Sequence, residues 1–233
     1  MAPVSNIDQR GWIRPGDGAA NCSIGAYEFN SNPAPTPTFT PPPVPSPTPA
    51  VACAVVPRTG CQQPQRAAGI VLNTTSRRVS WKWLGSATPV AVSQFGDPAN
   101  GLTSYHLCVY GTSAGLPSLA FSATVPTGGF CDPHTCWKRT RSRFSYTNTG
   151  ATPDGVTHVV LQPTAGRTEA RITLSGRGSN LRIPLSADGI FLLPEFPEVI
   201  VQLQRSDSAD CWESVFTSPP IRDTQSVFTD TIR

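Results

Sequence analysis

Within the stretch CDPHTC, Cys131, His134 and Cys136 bring two thiols and an imidazole close together, donor types that bind zinc. The spacing is shorter than that of ordinary zinc motifs, and no second CxxC pair completes four ligands. A local disulfide from Cys131 to Cys136 across a proline-containing turn is therefore expected, and no metal. The next residues, CWKRTRSRF, place Trp137, Arg139, Arg141 and Arg143 at alternate positions. On a strand that spacing makes one face cationic with an aromatic at its end, a seat for acidic polysaccharide or phosphate. The plainer reading is a solvated outer face whose guanidinium stems cover apolar surface. These four residues are the candidate ligand contacts, and an extracellular or cell-surface glycan is the partner they suit. Nucleic acid is not expected, because the aromatics do not recur at a spacing that stacks successive bases.

Trp81, Trp83, Trp137 and Trp212 offer a second chemistry, a flat platform for sugar rings, but large aromatics in a β protein are more often core. Catalytic patterns are wanting. His106, His134 and His158 fall in separate strands or loops, no GxSxG occurs, and no pair of acids is recognisable. The glycine-rich SGRGSN at 175–180 follows a strand with no helix after it, so it reads as a turn and not as a phosphate cradle. Asp207 and Asp210 lack the ligand spacing of an EF-hand and also read as turn residues. The expectation is a chain that is no enzyme and takes no cofactor.

Elements that would position these residues are set by composition. The 233 residues carry a formal charge of +3, and charged residues make up 14%, well below the usual quarter, while prolines are abundant. The balance is that of a turn-rich extracellular β protein, and the small net charge does not ask for nucleic acid. Seven cysteines stand at 22, 53, 61, 108, 131, 136 and 211. Six of them fall in one segment, which implies disulfides and an oxidising compartment. Cys53, Cys61, Cys108 and Cys211 allow three pairings; Cys53 with Cys61 and Cys108 with Cys211 is the preferred one. The first residues, MAPVSNIDQR, have neither a cationic nor an apolar signal region, so an export signal is expected in sequence upstream of Met1. AVACAVV, at Ala50–Val56, is far shorter than the roughly 20 residues a transmembrane helix takes.

Residues 31–50 contain nine prolines interleaved with Thr, Ser and Ala. Each proline fixes φ and removes a donor, which excludes a helix or a central strand. As polyproline II the stretch would make a spacer of roughly 60 Å. It divides the chain into 1–30, a linker at 31–52, and a domain at 53–233. In that domain VSWKW sets Val79, Trp81 and Trp83 on one face, and VIVQLQ does the same with Val199, Val201 and Leu203, the period of half-buried strands. AGIVLN (68–73), SYHLCVY (104–110), LAFSAT (119–124), VTHVVLQ (156–162), EARITL (169–174) and CWESVF (211–216) read as further strands, separated by Gly, Pro and Asp turn signals. The fold class is all-β: a two-sheet sandwich, with a barrel as second choice. Val79, Leu107, Val109, Ile172, Leu174, Val201, Leu203 and Phe216 are the expected core.

Two resemblances extend this reading. DQRGWIRP followed by CSIGAYEF, with Asp8, Gln9, Arg10, Gly11, Arg14, Pro15, Ile24, Gly25, Ala26, Tyr27 and Glu28 in place, resembles the C-terminal end of bacterial right-handed parallel β-helix surface proteins of the choice-of-anchor type. Ser23 stands where that family usually has Asp. The resemblance implies that residues 1–30 are a terminal β-helix coil and cap. A coil of this size has no core of its own and needs neighbouring coils to cover its faces. Residues 61–230, through VSWKW, FGDP, YHLCVY, the CW pairs at 136–137 and 211–212, DG at 154–155 and VQL, resemble an uncharacterised exported β domain of environmental bacteria. With the lack of catalytic patterns, they lead to the expectation of a non-catalytic C-terminal module of an exported bacterial surface protein, structural, adhesive or anchoring in role. The alternative is a carbohydrate-binding module of a β-helix polysaccharide lyase or hydrolase whose catalytic part is missing.

Overall fold

The computed structural model describes residues 12–13, 32–33, 53–113, 116–183, 198–217, 219–224 and 226–232. The chain forms two compact units, Met1–Thr48 and Pro49–Arg233. In the first, β1 (Trp12–Ile13) pairs antiparallel with β2 (Asn32–Pro33). The other motif residues between Asp8 and Glu28, together with Cys22, lie outside the described residues.

The second unit carries strands β3 (Ala67–Asn73), β4 (Arg78–Leu84), β5 (Tyr105–Ser113), β6 (Leu116–Val125), β7 (Phe130–Cys131), β8 (His134–Thr135), β9 (Trp137–Arg139), β10 (Phe144–Thr147), β11 (Val156–Gln162), β12 (Arg171–Arg177), β13 (Glu198–Arg205), β14 (Cys211–Thr217), β15 (Arg222–Asp223) and β16 (Val227–Ile232). A 3-10 turn at Val92–Phe95 is the sole helical element among the described residues. The larger sheet runs β15-β16-β3-β4-β12-β11-β10-β9 and the smaller β14-β13-β5-β6, with β7-β8 a separate hairpin. Every ladder is antiparallel. The chain changes sheet after β4, β6, β12 and β14, and neither sheet closes on itself, so the architecture is a sandwich.

Alternation builds the interface between the sheets. In β4, Val79, Trp81 and Trp83 are buried while Arg78 and Lys82 are exposed. β3 and β12 follow the same period with Ile70, Leu72, Ile172 and Leu174. From the small sheet Leu107, Val109, Val199, Val201, Leu203, Trp212 and Phe216 meet them in one continuous core. Two indole N–H groups cross the interface: Trp81 Nε1 donates to Ser214 Oγ at 3.3 Å and Trp83 Nε1 to the Glu213 carbonyl at 3.1 Å. A buried tryptophan usually finds such a partner for its one polar atom; Trp212 Nε1, equally buried, has none among the described residues.

The small sheet departs from the expected half-buried pattern. Gln202 and Gln204 alternate with the core residues of β13, yet both are buried, as are His106, Cys108 and Tyr110 on β5. The cause is a strap, residues 53–63, laid over the outer face of that sheet. Arg58 N donates to Gln202 Oε1 at 3.0 Å, and Gln202 Nε2 returns a bond to Arg58 O at 2.8 Å. Gln204 Nε2 completes the chain to Gln202 Oε1 and to Tyr110 Oη. At the sheet edge Gln62 N donates to Cys211 O, and Glu213 N to Gln62 O, so the strap also covers the free side of β14.

Two disulfides fasten the strap, and they correct the preferred pairing. Cys53 bonds Cys108, and Cys61 bonds Cys211; Cys53–Cys61 and Cys108–Cys211 do not form. The local guess fails because residues 53–61 cross from β5 to β14: Cys53 is held at Cys108 on β5, and Cys61 reaches Cys211 at the β14 edge. The third bond, Cys131–Cys136, is the local one anticipated from CDPHTC.

Candidate functional site

All four tryptophans of the second unit are buried: Trp81, Trp83, Trp137 and Trp212 expose 3% of their surface or less. Trp137 is thereby corrected from surface contact to core. Its ring lies between Tyr105 and Tyr146, at centroid distances of 5.8 and 5.1 Å, and its Nε1 donates to Pro126 O at 2.8 Å. Trp212 stacks on Phe95 at 4.9 Å. No tryptophan platform faces solvent among the described residues.

The arginines that follow Trp137 do not line one strand face. β9 ends at Arg139, and Thr140 N donating to Arg143 O at 2.9 Å closes a turn back into β10. Arg139 holds its guanidinium 5.5 Å from the Phe144 ring, a cation–π arrangement, while Arg141 and Arg143 sit in the turn. All three are exposed. The alternation ends because the hairpin turns, not because the strand changes face.

What this hairpin does present is the side opposite Trp137. Phe144 and Tyr146 point inward with Trp137, which sends Lys138, Ser145 and Thr147 outward, with Lys138 and Ser145 as cross-strand partners. Above them sits the β7-β8 hairpin, stapled by Cys131–Cys136. Between the two lies an open groove of about 670 Å³ lined by Phe130, Pro133, His134, Lys138, Ser145 and Thr147, among others. Phe130 is 70% exposed and is the only aromatic among the strongly exposed large apolar residues described. Sequence periodicity missed it, since no alternation surrounds GGFC. The available signal was the glycine pair: Gly128 and Gly129 both have positive φ (55° and 84°), a turn that only glycine makes cheaply and that fixes where the next side chain emerges.

A second polar cluster proves to be structural. Arg205, at the end of β13, is nearly buried and donates to Asp207 through Nε and Nη2 at 2.9 Å each, to Asp210 at 2.8 Å and to Gln94 O at 2.8 Å. Thr103 Oγ1 donates to Asp207 at 2.7 Å. Burial works against the Arg205 charge, but the hydrogen bond and charge of Asp207, with the charge of Asp210, outweigh it and hold its pKa above the ordinary value. Burial likewise opposes the Asp207 charge, and the bonds from Arg205 and Thr103 prevail and lower its pKa. Gly96 completes the arrangement: a Cβ there would stand 2.2 Å from Thr103 Oγ1 and 2.7 Å from Arg205 Nη2. Asp207 and Asp210 thus bind a guanidinium within their own loop, in keeping with the turn reading.

His106 lies under the strap with Nδ1 3.4 Å from Thr124 Oγ1, and its Nε2 has no partner among the described residues. Burial, then the Arg58 charge, pushes its pKa below the usual value, with Asp154 opposing. Asp154 itself accepts from the Thr124 N–H at 2.9 Å, capping a backbone donor on β6, the edge strand of the small sheet. Ser122, Asp154, Asn180 and Arg182 border a smaller open pocket of about 330 Å³ there. Among the described residues no group of three or more His, Cys, Asp or Glu side chains could hold a metal ion, and the two thiols of CDPHTC are joined to each other. No helix among the described residues is long and apolar enough to cross a membrane. Compared with known proteins, the chain matches no family model, no curated protein and no solved structure.

Proposed function

We propose that this chain is a non-catalytic module of an exported bacterial surface protein, adhesive or anchoring in role. In this reading residues 1–30 are a terminal β-helix coil, the Pro/Thr stretch is a spacer, and the sandwich is the part projected or held. One observation carries the reading: the polar side chains that would serve catalysis elsewhere serve structure here. Asp207 and Asp210 hold Arg205, Asp154 caps a strand edge, and Gln202, Gln204 and Tyr110 bond one another and the strap. The three disulfides are compatible with an extracellular location. The second reading, a carbohydrate-binding module attached to a β-helix lyase or hydrolase, draws support from the open groove at Phe130 and none from the tryptophans.

The test is direct. The purified, oxidised chain is incubated with a panel of acidic and neutral polysaccharides while reducing ends and unsaturated products are followed. The expected result is no release above the buffer blank. Product that accumulates in proportion to protein concentration would overturn the non-catalytic reading.

A further inference from the structure

From the groove between the β7-β8 hairpin and the outer face of β9-β10 we infer a binding site for a segment of carboxylated polysaccharide, a chain of uronate-type sugars. The inference rests on the non-catalytic, adhesive reading and gives it a ligand class. Three features of the groove converge. First, it offers an apolar wall: Phe130, 70% exposed, and Pro133, both on a hairpin held in shape by the Cys131–Cys136 bond. A pyranose ring presents C–H groups on its face, and such a face packs on an aromatic or prolyl ring. Second, its floor supplies hydrogen-bonding groups at strand spacing, the Ser145 and Thr147 hydroxyls, which suit the ring hydroxyls at the sugar's edge.

Third, the charge is complementary, with Arg139 at the hairpin tip sharing its field with the Asp97 carboxylate. Lys138 stands on the floor beside Ser145, and no carboxylate lines the groove. Arg139, Arg141 and Arg143 continue the positive potential to the hairpin tip, and no salt bridge joins any of these four cations to a described acid. One ammonium beside one apolar wall matches a polymer with a single carboxylate on each sugar. A densely sulfated chain calls instead for clustered cations, and within the groove Lys138 is the sole Lys or Arg.

The experiment uses the full 233-residue chain, oxidised, titrated with polygalacturonate, dextran sulfate and neutral dextran by affinity electrophoresis and calorimetry. Polygalacturonate should bind saturably and weaken as salt is raised, and dextran should not bind. Phe130→Ala and Lys138→Gln should each lower affinity at least about tenfold while leaving the unfolding midpoint in place, because both side chains are exposed. Arg182→Gln, at the smaller pocket, should leave affinity unchanged. Absence of binding to polygalacturonate, binding that prefers dextran sulfate, or binding untouched by both groove variants would each overturn the site. None of these outcomes bears on the non-catalytic reading, which fails instead if the viscosity of the polygalacturonate solution falls with time.

Discussion

Each sheet of the sandwich turns one face away from the shared core, and the two outer faces meet opposite fates. On the small sheet Gln202, Gln204, His106 and Tyr110 point outward and are nevertheless sealed under residues 53–63, where nearly every polar atom finds a protein partner. At the β9-β10 end of the large sheet Lys138, Ser145 and Thr147 also point outward and stay open to solvent. Local pattern is the same in both places, apolar and polar residues alternating along a strand. What separates them is a distant piece of chain, fixed by two long-range disulfides in one case and replaced by a short stapled hairpin in the other.

The largest expected effect breaks the closed face. Removing Cys61–Cys211 by Cys61→Ala with Cys211→Ala opens a loop spanning a sequence separation of 150, worth about 5 kcal/mol in the chain-entropy account. Removing Cys131–Cys136, separation 5, should cost about 2 kcal/mol on the same account. Urea unfolding of both double variants measures the difference, and equal losses would contradict the strap's role. Next comes Gln202→Ala, which strands the backbone N–H and C=O of Arg58 beneath the strap and leaves the Gln204 amide only Tyr110 Oη. A loss of about 2–3 kcal/mol is expected, with the midpoint shifting at unchanged m-value.

Protonation probes the same face more gently. His106 is held below its ordinary value of 6.5 by burial and by Arg58, so as the pH falls the unfolded chain takes up the proton first. Its contribution to stability is complete above the unfolded pKa and declines as pH drops from there toward the lower native value. Thermal melts between pH 7.5 and 5 should show this decline, and His106→Gln should flatten it. The smallest effect belongs to the open face: Lys138→Gln should move stability by less than about 0.5 kcal/mol. A larger loss would mean that the lysine is part of the fold.

Much of the core was readable because burial there follows strand period. Val79, Trp81 and Trp83 alternate cleanly, and Leu107, Val109, Ile172, Leu174, Val201, Leu203 and Phe216 all lie in the core where expected. Gln202 and Gln204 were not readable as buried, since nothing in VIVQLQ reports that residues some 140 positions earlier will cover them. The disulfide pairing was hidden for the same reason: proximity along the chain favoured Cys53 with Cys61, whereas the strap crosses from β5 to β14 between them. At the β9-β10 hairpin, the sequence reading set Trp137 and the arginines together on one face, and the structure separates them. Trp137 and Lys138 are adjacent, and the tyrosine-lined core took the aromatic, leaving the lysine outside with Phe130, which lies in no periodic stretch.

The strap has a mechanical consequence. In the oxidised molecule the shortest covalent route from Cys53 to Ile232 follows residues 53–61, crosses to Cys211 and continues through β14, β15 and β16. Tension arriving along the proline-rich segment and leaving through β16 therefore bypasses residues 62–210, which include β3 to β13. Those strands can be sheared apart only to the slack that the cross-links permit, so the domain would yield to a pull in short steps and keep most of its sheet out of the load line until a sulfur–sulfur bond is cut.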